Sequence, residues 1–101
     1  MKLVIQRVAR ADLAAIGDYL VKISPHAALH VVDAIEATCQ ALVDFPLRWP
    51  VAGNSKGRTL RRAISGKYLI FYTADAQCVR VLHILHGARD AQSLLDLTFD
   101  D

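Results

Sequence analysis

At 101 residues and 11.1 kDa the chain has room for one domain, and size scaling lets it bury about 65% of the roughly 16,000 Å² it exposes when unfolded. Apolar residues are 53% of the sequence and charged residues 22%, which excludes a disordered or low-complexity chain. The formal net charge is +2, and no apolar run approaches the roughly 20 residues that a membrane-spanning helix needs.

Lys2, Gln6, Arg7 and Arg10 interrupt the one stretch that could act as a secretory leader, so none is expected. From Leu3 to Val8 the β-branched Val4, Ile5 and Val8 predict a strand. The period then changes: Leu13, Ile16, Leu20 and Ile23 recur at helical spacing, predicting an amphipathic helix from Ala9 to Lys22. Asp12 falls in its first turn, where a negative charge suits the helix dipole. Ser24-Pro25 supplies an N-cap and a favoured first helical residue for a second helix, striped by Ala28, Val32, Ile35, Cys39 and Leu42 and stopped at Asp44-Phe45-Pro46. So short a connection makes the two helices an antiparallel hairpin.

Phe45 to Gly57 holds two prolines and two glycines without a period and reads as a loop, with Trp49 as a lid over the core edge. Thr59–Ser65 alternates, with Leu60, Arg62 and Ile64 on one face and Arg61 and Ala63 on the other. A tight turn at Ser65-Gly66-Lys67-Tyr68 leads to a strand over Tyr68–Thr73, and a turn over Ala74–Gln77 leads to a last strand, Cys78–His86. The prediction is an α+β domain over residues 1–101 in the order β-α-α-β-β-β. Its helical hairpin packs on a small, mainly antiparallel sheet, and residues 90–101 form a short acidic tail in which Leu94, Leu95, Leu97 and Phe99 could make one or two helical turns.

Two helices cover one sheet face, yet the strands are apolar on both. Tyr68, Ile70 and Tyr72 oppose Leu69 and Phe71, while Val79, Val81 and Leu85 oppose Leu82 and Ile84. The excess predicts cover by a partner chain or a second copy, with the tail folding back as the competing explanation. Charge is uneven as well: residues 1–44 carry a net −1, residues 45–74 a net +6 and residues 75–101 a net −3. The central block, Arg48, Lys56, Arg58, Arg61, Arg62 and Lys67, fits either an anionic partner or a solvated face.

Little conventional chemistry is available. Cys39 and Cys78 read as small buried hydrophobes in a reducing, cytoplasmic setting. His26 and His30 lack a third ligand nearby, and His83 and His86 fall on opposite faces of a regular strand, so no metal is expected. There is no nucleophile elbow or phosphate-binding glycine loop, and no cofactor is expected. What remains is Arg62 with the His86-Gly87-Ala88-Arg89-Asp90 ending. Such groups could stabilise a phosphodiester and move its proton, or could contact an acidic partner, and Arg89 could equally form a structural pair with Asp90.

These pieces resemble a known family. Ala11-Asp12-Leu13, Ile16 and Tyr19, Ser24-Pro25 with Ala27-Ala28, Phe45-Pro46, the Tyr68, Ile70 and Tyr72 strand, and Val81-Leu82-His83-Ile84-Leu85-His86-Gly87-Ala88-Arg89-Asp90 are similar to the ParE branch of the RelE/ParE toxins. The resemblance implies the same fold and the toxin of a type II toxin–antitoxin pair, of the plasmid-stabilisation kind. Its target would be DNA gyrase, its partner a ParD-like antitoxin, and DNA would be reached only through that antitoxin. RelE-like relatives instead cut messenger RNA on the ribosome; here His86, Arg62 and Arg89 could fill part of that need. The tail, however, carries Asp90, Asp96, Asp100 and Asp101 and no basic group after Arg89, which opposes an RNA backbone. Gyrase inhibition without catalytic residues is therefore the expectation, with Arg61, Arg62, Tyr72, His86 and Arg89 as candidate partner contacts.

Overall fold

A computed structural model describes residues 1–90, so the expected acidic tail, with its fold-back alternative, lies outside the described residues apart from Asp90. The elements are β1 (Lys2–Ile5), α1 (Arg7–Val21), α2 (Pro25–Asp44), β2 (Val51–Ser55), β3 (Arg58–Ser65), β4 (Tyr68–Ala74) and β5 (Cys78–His86). The strands form one sheet in the order β1-β5-β4-β3-β2, parallel between β1 and β5 and antiparallel elsewhere. Both helices pack on one face, α1 against β5 and α2 against β3, β1 and β5.

The first strand is shorter than its composition predicts. The Gln6 N–H donates to the Val81 carbonyl at 3.0 Å, while the Gln6 carbonyl already accepts from Arg10 N–H at 2.9 Å. Gln6 thus ends the sheet and caps the helix, and Val8 becomes an exposed helical residue instead of a strand residue. Asp12 accordingly lies beyond the first turn of α1. The second helix begins as its cap dictates: the Ser24 hydroxyl accepts from Ala27 N–H at 3.2 Å and Pro25 occupies the first turn.

The segment read as a loop contains a strand, β2. Its sequence, Val-Ala-Gly-Asn-Ser, has no apolar alternation and four of its five residues are exposed. Pairing with β3 gives it its form. Its register slips between Val51 and Gly53, and Gly53 adopts φ +152°, a conformation left to glycine. A two-residue turn, Lys56-Gly57, closes the hairpin with both φ values positive, and Asn54 Oδ1 accepts from Gly57 N–H at 2.9 Å.

On the helix-covered face Ile16, Ile35, Cys39 and Leu42 meet Ala63, Ile70, Tyr72, Val79, Val81 and Ile84. Ile35 is fully buried, so Ile35→Ala is expected to cost about 2–5 kcal/mol; Leu20, only partly buried, costs less. The other face carries a second cluster of Leu60, Phe71, Leu82 and Leu85, with Leu69 packed against it. The membership of β5 differs from simple alternation. Tyr72 pairs with Val81 but Phe71 pairs with His83, so Leu82 is an extra residue. This bulge reverses the phase of the strand: Ile84 joins the helix side and Leu85 the opposite one, the reverse of the expected assignment.

The second cluster is buried, with Leu60 2% and Phe71 6% exposed. The apolar excess emerges elsewhere, on Val21, Ile23 and Leu29 at the hairpin end and on Phe45, Leu47 and Val51 near β2. Both cysteines are free and buried, and burial raises the Cys39 thiol to about 11, making it a poor nucleophile.

Candidate functional site

Beyond Val81, β5 has no β1 residue to pair with, because β1 ends at Ile5. Asp12 of α1 fills the vacancy. One carboxylate oxygen accepts from Ile84 N–H at 3.0 Å and lies 3.3 Å from His83 Nδ1. The charge thus serves a strand edge, not the helix dipole. No sequence periodicity announces a contact between residues 71 positions apart.

The His86–Asp90 ending closes on itself. Asp90 accepts from His86 N–H at 2.7 Å, and Asp90 N–H returns a bond to the His86 carbonyl at 2.9 Å. Arg89 N–H donates to His86 Nδ1 at 2.9 Å. This nitrogen must then be unprotonated, leaving the ring proton of the neutral form on Nε2. Gly87 N–H donates to the Lys67 carbonyl, and the His86 ring stands edge-on to Tyr68 with centroids 5.2 Å apart. The guanidinium of Arg89 lies over the Tyr19 ring at 4.7 Å from its centroid, so the residue stacks on α1 while Asp90 serves the turn.

Two cavities flank Arg89. The larger, about 470 Å³, has walls of Leu20, Val31, Ala34 and Tyr68, with His30, Lys67, His86 and Arg89 also lining it. The smaller, about 400 Å³, lies along the β5 edge between Asp12, Tyr19, Ile84 and Arg89.

The five expected contact residues separate into three groups. His86 and Arg89 come together at the larger cavity. Arg62 pairs in register with Phe71 on the opposite face, where it is exposed. Arg61 and Tyr72 are drawn inward to hold the segment before β2. Arg61 donates to the Trp49 carbonyl at 2.7 Å, and the fully buried Tyr72 donates its hydroxyl to the Pro46 carbonyl at 2.8 Å. Burial pushes the Tyr72 phenol up, opposed by the Arg61 charge and a backbone hydrogen bond at Trp49. Tyr72 therefore has no surface to present to a partner, a correction to its place among the contact candidates. Trp49 packs partly buried against the core, as a lid does.

The ribonuclease set is likewise divided, since the sheet stands between Arg62 and the other two. The basic block disperses in the same way: Arg48 lies near the Trp49 ring, Arg58 lies 3.9 Å from Asp75, and Lys67 faces the larger cavity. Among the described residues no group of three or more His, Cys, Asp or Glu side chains is placed to hold a metal ion, and no helix is long and apolar enough to cross a membrane. Sequence reading missed Asp12 as a bridge and His30, Lys67 and Tyr68 as lining. Each carried a signal of another kind: Asp12 and Tyr68 stand in the motifs of the resemblance, His30 in the His26/His30 pair and Lys67 in the basic block.

Residues 3–91 match the sequence profile of the ParE toxin of the type II toxin–antitoxin system parDE. The chain belongs to the ParE toxin family. The fold agrees: a chain of the chromosomal ParDE toxin–antitoxin system from P. aeruginosa superposes with a TM-score of 0.71 at 26% identity, over 85% of this chain and 95% of that one. No curated protein sequence matches significantly. Within the ParE profile fall both Asp12 and the His83–Asp90 segment, the two motifs that the fold brings into contact.

Proposed function

We propose that this ParE-family toxin inhibits DNA gyrase by protein–protein contact, without bond-making chemistry of its own, and that a ParD-like antitoxin neutralises it. The toxin acts in the cytoplasm, where gyrase works, and reaches DNA only through the antitoxin. The observation that carries the choice over messenger-RNA cleavage is the separation of Arg62 from His86 and Arg89 by the sheet. An arginine that stabilises phosphoryl charge and a histidine that moves a proton must converge on one phosphodiester, the histidine within about 2.6–3.2 Å of the proton it transfers. His86 is further committed through Nδ1, which holds the turn by accepting from Arg89 N–H.

Purified toxin added to a gyrase supercoiling reaction tests this reading. Supercoiling is expected to fall as toxin is titrated, and equimolar antitoxin to restore it. Undiminished supercoiling, with ribosome-dependent cleavage of messenger RNA by the same preparation, would overturn the proposal in favour of a RelE-like endoribonuclease.

A further inference from the structure

A third concavity opens on the sheet face turned away from the helices, at the end where β2 turns into β3 and β4 into β5. It holds about 260 Å³ and is lined by Ser55, Lys56, Arg58, Thr73, Arg80 and Leu82. Strand register builds it. Ser55 pairs with Arg58 and Thr73 with Arg80, and residues paired across antiparallel strands share a face, so each hydroxyl stands beside an arginine. Ser55 and Thr73, 6% and 3% exposed, are the two buried polar residues among the described residues, and both line this concavity. Valine has the shape of threonine and would extend the apolar cluster of Leu60, Phe71 and Leu82, whereas a buried hydroxyl costs free energy unless it is hydrogen-bonded. Packing alone does not call for hydroxyls there.

The charges point the same way. Lys56, Arg58 and Arg80 bring three positive charges, and no Asp or Glu among the described residues lines the concavity. Asp75, outside it, pairs with Arg80 at 3.0 Å, lies 3.9 Å from Arg58 and accepts from the N–H groups of Gln77 and Cys78. It steadies the Arg80 guanidinium while setting one negative charge against three positive. Lys56 has φ +50°, a turn position that Asn or Gly fills at lower cost. The turn would close more easily with either of them, and lysine adds a cation to the rim.

Cations and hydroxyl donors around a small concavity suit an occupant rich in acceptor oxygens and in negative charge. We infer that this concavity binds a phosphoryl group, with Arg58, Arg80 and Lys56 meeting its charge and the hydroxyls of Ser55 and Thr73 donating to its oxygens. A carboxylate offers two oxygens and one charge; a phosphoryl group offers three oxygens and about two charges, and arginine grips it through a bidentate fork. The same group comes on a small phosphorylated molecule or on a nucleic-acid backbone. The gyrase reading neither requires this site nor falls with it.

The test titrates the full toxin, labelled with nitrogen-15, with inorganic phosphate, adenosine monophosphate, acetate and a short DNA duplex, at ionic strength held constant with chloride. Phosphate is expected to shift the amide signals of Ser55, Lys56, Arg58, Thr73 and Arg80 saturably, and acetate to bind at least about tenfold more weakly. Lys56→Asn removes a charge and suits its turn position, so the fold should hold while the Kd for phosphate rises about tenfold. Thr73→Val should raise it about three- to tenfold, and Arg80→Gln about tenfold or more. Lys22→Gln, an equal loss of charge at the exposed end of α1, should leave it within about twofold. Thermal midpoints verify the fold of each variant; should Arg80→Gln lose stability with its Asp75 pair, Lys56→Asn and Thr73→Val carry the test. Tighter binding of adenosine monophosphate than of duplex assigns the group to a small molecule. Tighter binding of duplex, lost in the same variants, assigns it to a nucleic-acid backbone and makes contact with DNA direct. Shifts that do not saturate, or a Kd unchanged in folded Lys56→Asn and Thr73→Val, would overturn the site, and acetate binding as tightly as phosphate would overturn its preference for a phosphoryl group.

Discussion

At the β4–β5 turn, Asp75 accepts from the backbone N–H groups of Gln77 and Cys78 at 2.8 and 2.9 Å and pairs with Arg80 at 3.0 Å, with Arg58 at 3.9 Å. At the other end of the same strands, Lys67, His86 and Arg89 border a cavity that no carboxylate among the described residues lines. Both ends place Arg within a few residues of Asp, yet one end pairs its arginines with the turn carboxylate while the other stacks its arginine on an aromatic ring and gives its carboxylate to the backbone. The deciding factor is where the carboxylate is used. Asp75 is a turn residue that binds backbone and arginine together, whereas Asp90 turns back onto the His86 backbone while Arg89 stacks on Tyr19. The same neighbourhood of Arg and Asp in the chain thus closes a charge network at one end and a backbone turn at the other.

Among the polar contacts that distinguish the two ends, the largest stability effect should come from removing the carboxylate that ties α1 to the end of β5. Asp12→Ala strips the acceptor from Ile84 N–H and the partner from His83, both in a part-buried setting. The expected cost is about 1–3 kcal/mol, seen as a lower midpoint in urea or heat denaturation. Asp12→Asn should recover part of it, because the amide oxygen can still accept from Ile84. Equal losses in the two variants would mean that charge, and not the backbone hydrogen bond, dominates.

A smaller effect is expected where the interior holds the segment that leads into β2. Tyr72→Phe removes only the hydroxyl and leaves the Pro46 carbonyl to find water at the segment's surface, at about 0.5–1.5 kcal/mol. Antitoxin affinity should not change. A large loss of affinity in this variant would return Tyr72 to the binding surface and blur the contrast between a structural and a binding role.

The contrast between the ends also measures what the sequence could tell. The helices were legible because a 3.6-residue stripe and the Ser24-Pro25 start are local signals, and β3, β4 and β5 because each has a run of β-forming residues between turn residues. β2 was not, since Val51–Ser55 takes its extended form from pairing with β3 across a bulge. The same kind of irregularity hid the face of Ile84 and Leu85: one extra residue at Leu82 reverses the phase, and nothing in the alternation of Val, Leu and Ile marks where it falls. Of the site, His86 and Arg89 were legible as a local pair. That Arg61 and Tyr72 face inward, and that Asp12 reaches Ile84, depends on which elements the topology stacks.

The smallest effect belongs to the saturated end, and pH separates it from the others. Two backbone N–H groups and Arg80 hold the Asp75 carboxyl at about 2, below its ordinary value of 3.8, the Gln77 hydrogen bond being the largest cause. Because the folded value is the depressed one, the folded protein favours the charged carboxylate. Its stabilisation is complete above the unfolded value near 4 and is lost as pH falls towards 2. Asp75→Asn keeps an acceptor for the turn but cannot titrate. It should therefore be less stable than wild type at pH 7, while the difference shrinks progressively below pH 4. Urea midpoints at pH 7, 4, 3 and 2 would show the two curves converging; parallel curves would mean that the charge on Asp75 contributes nothing to the turn, and that this end of the sheet is held by its backbone alone.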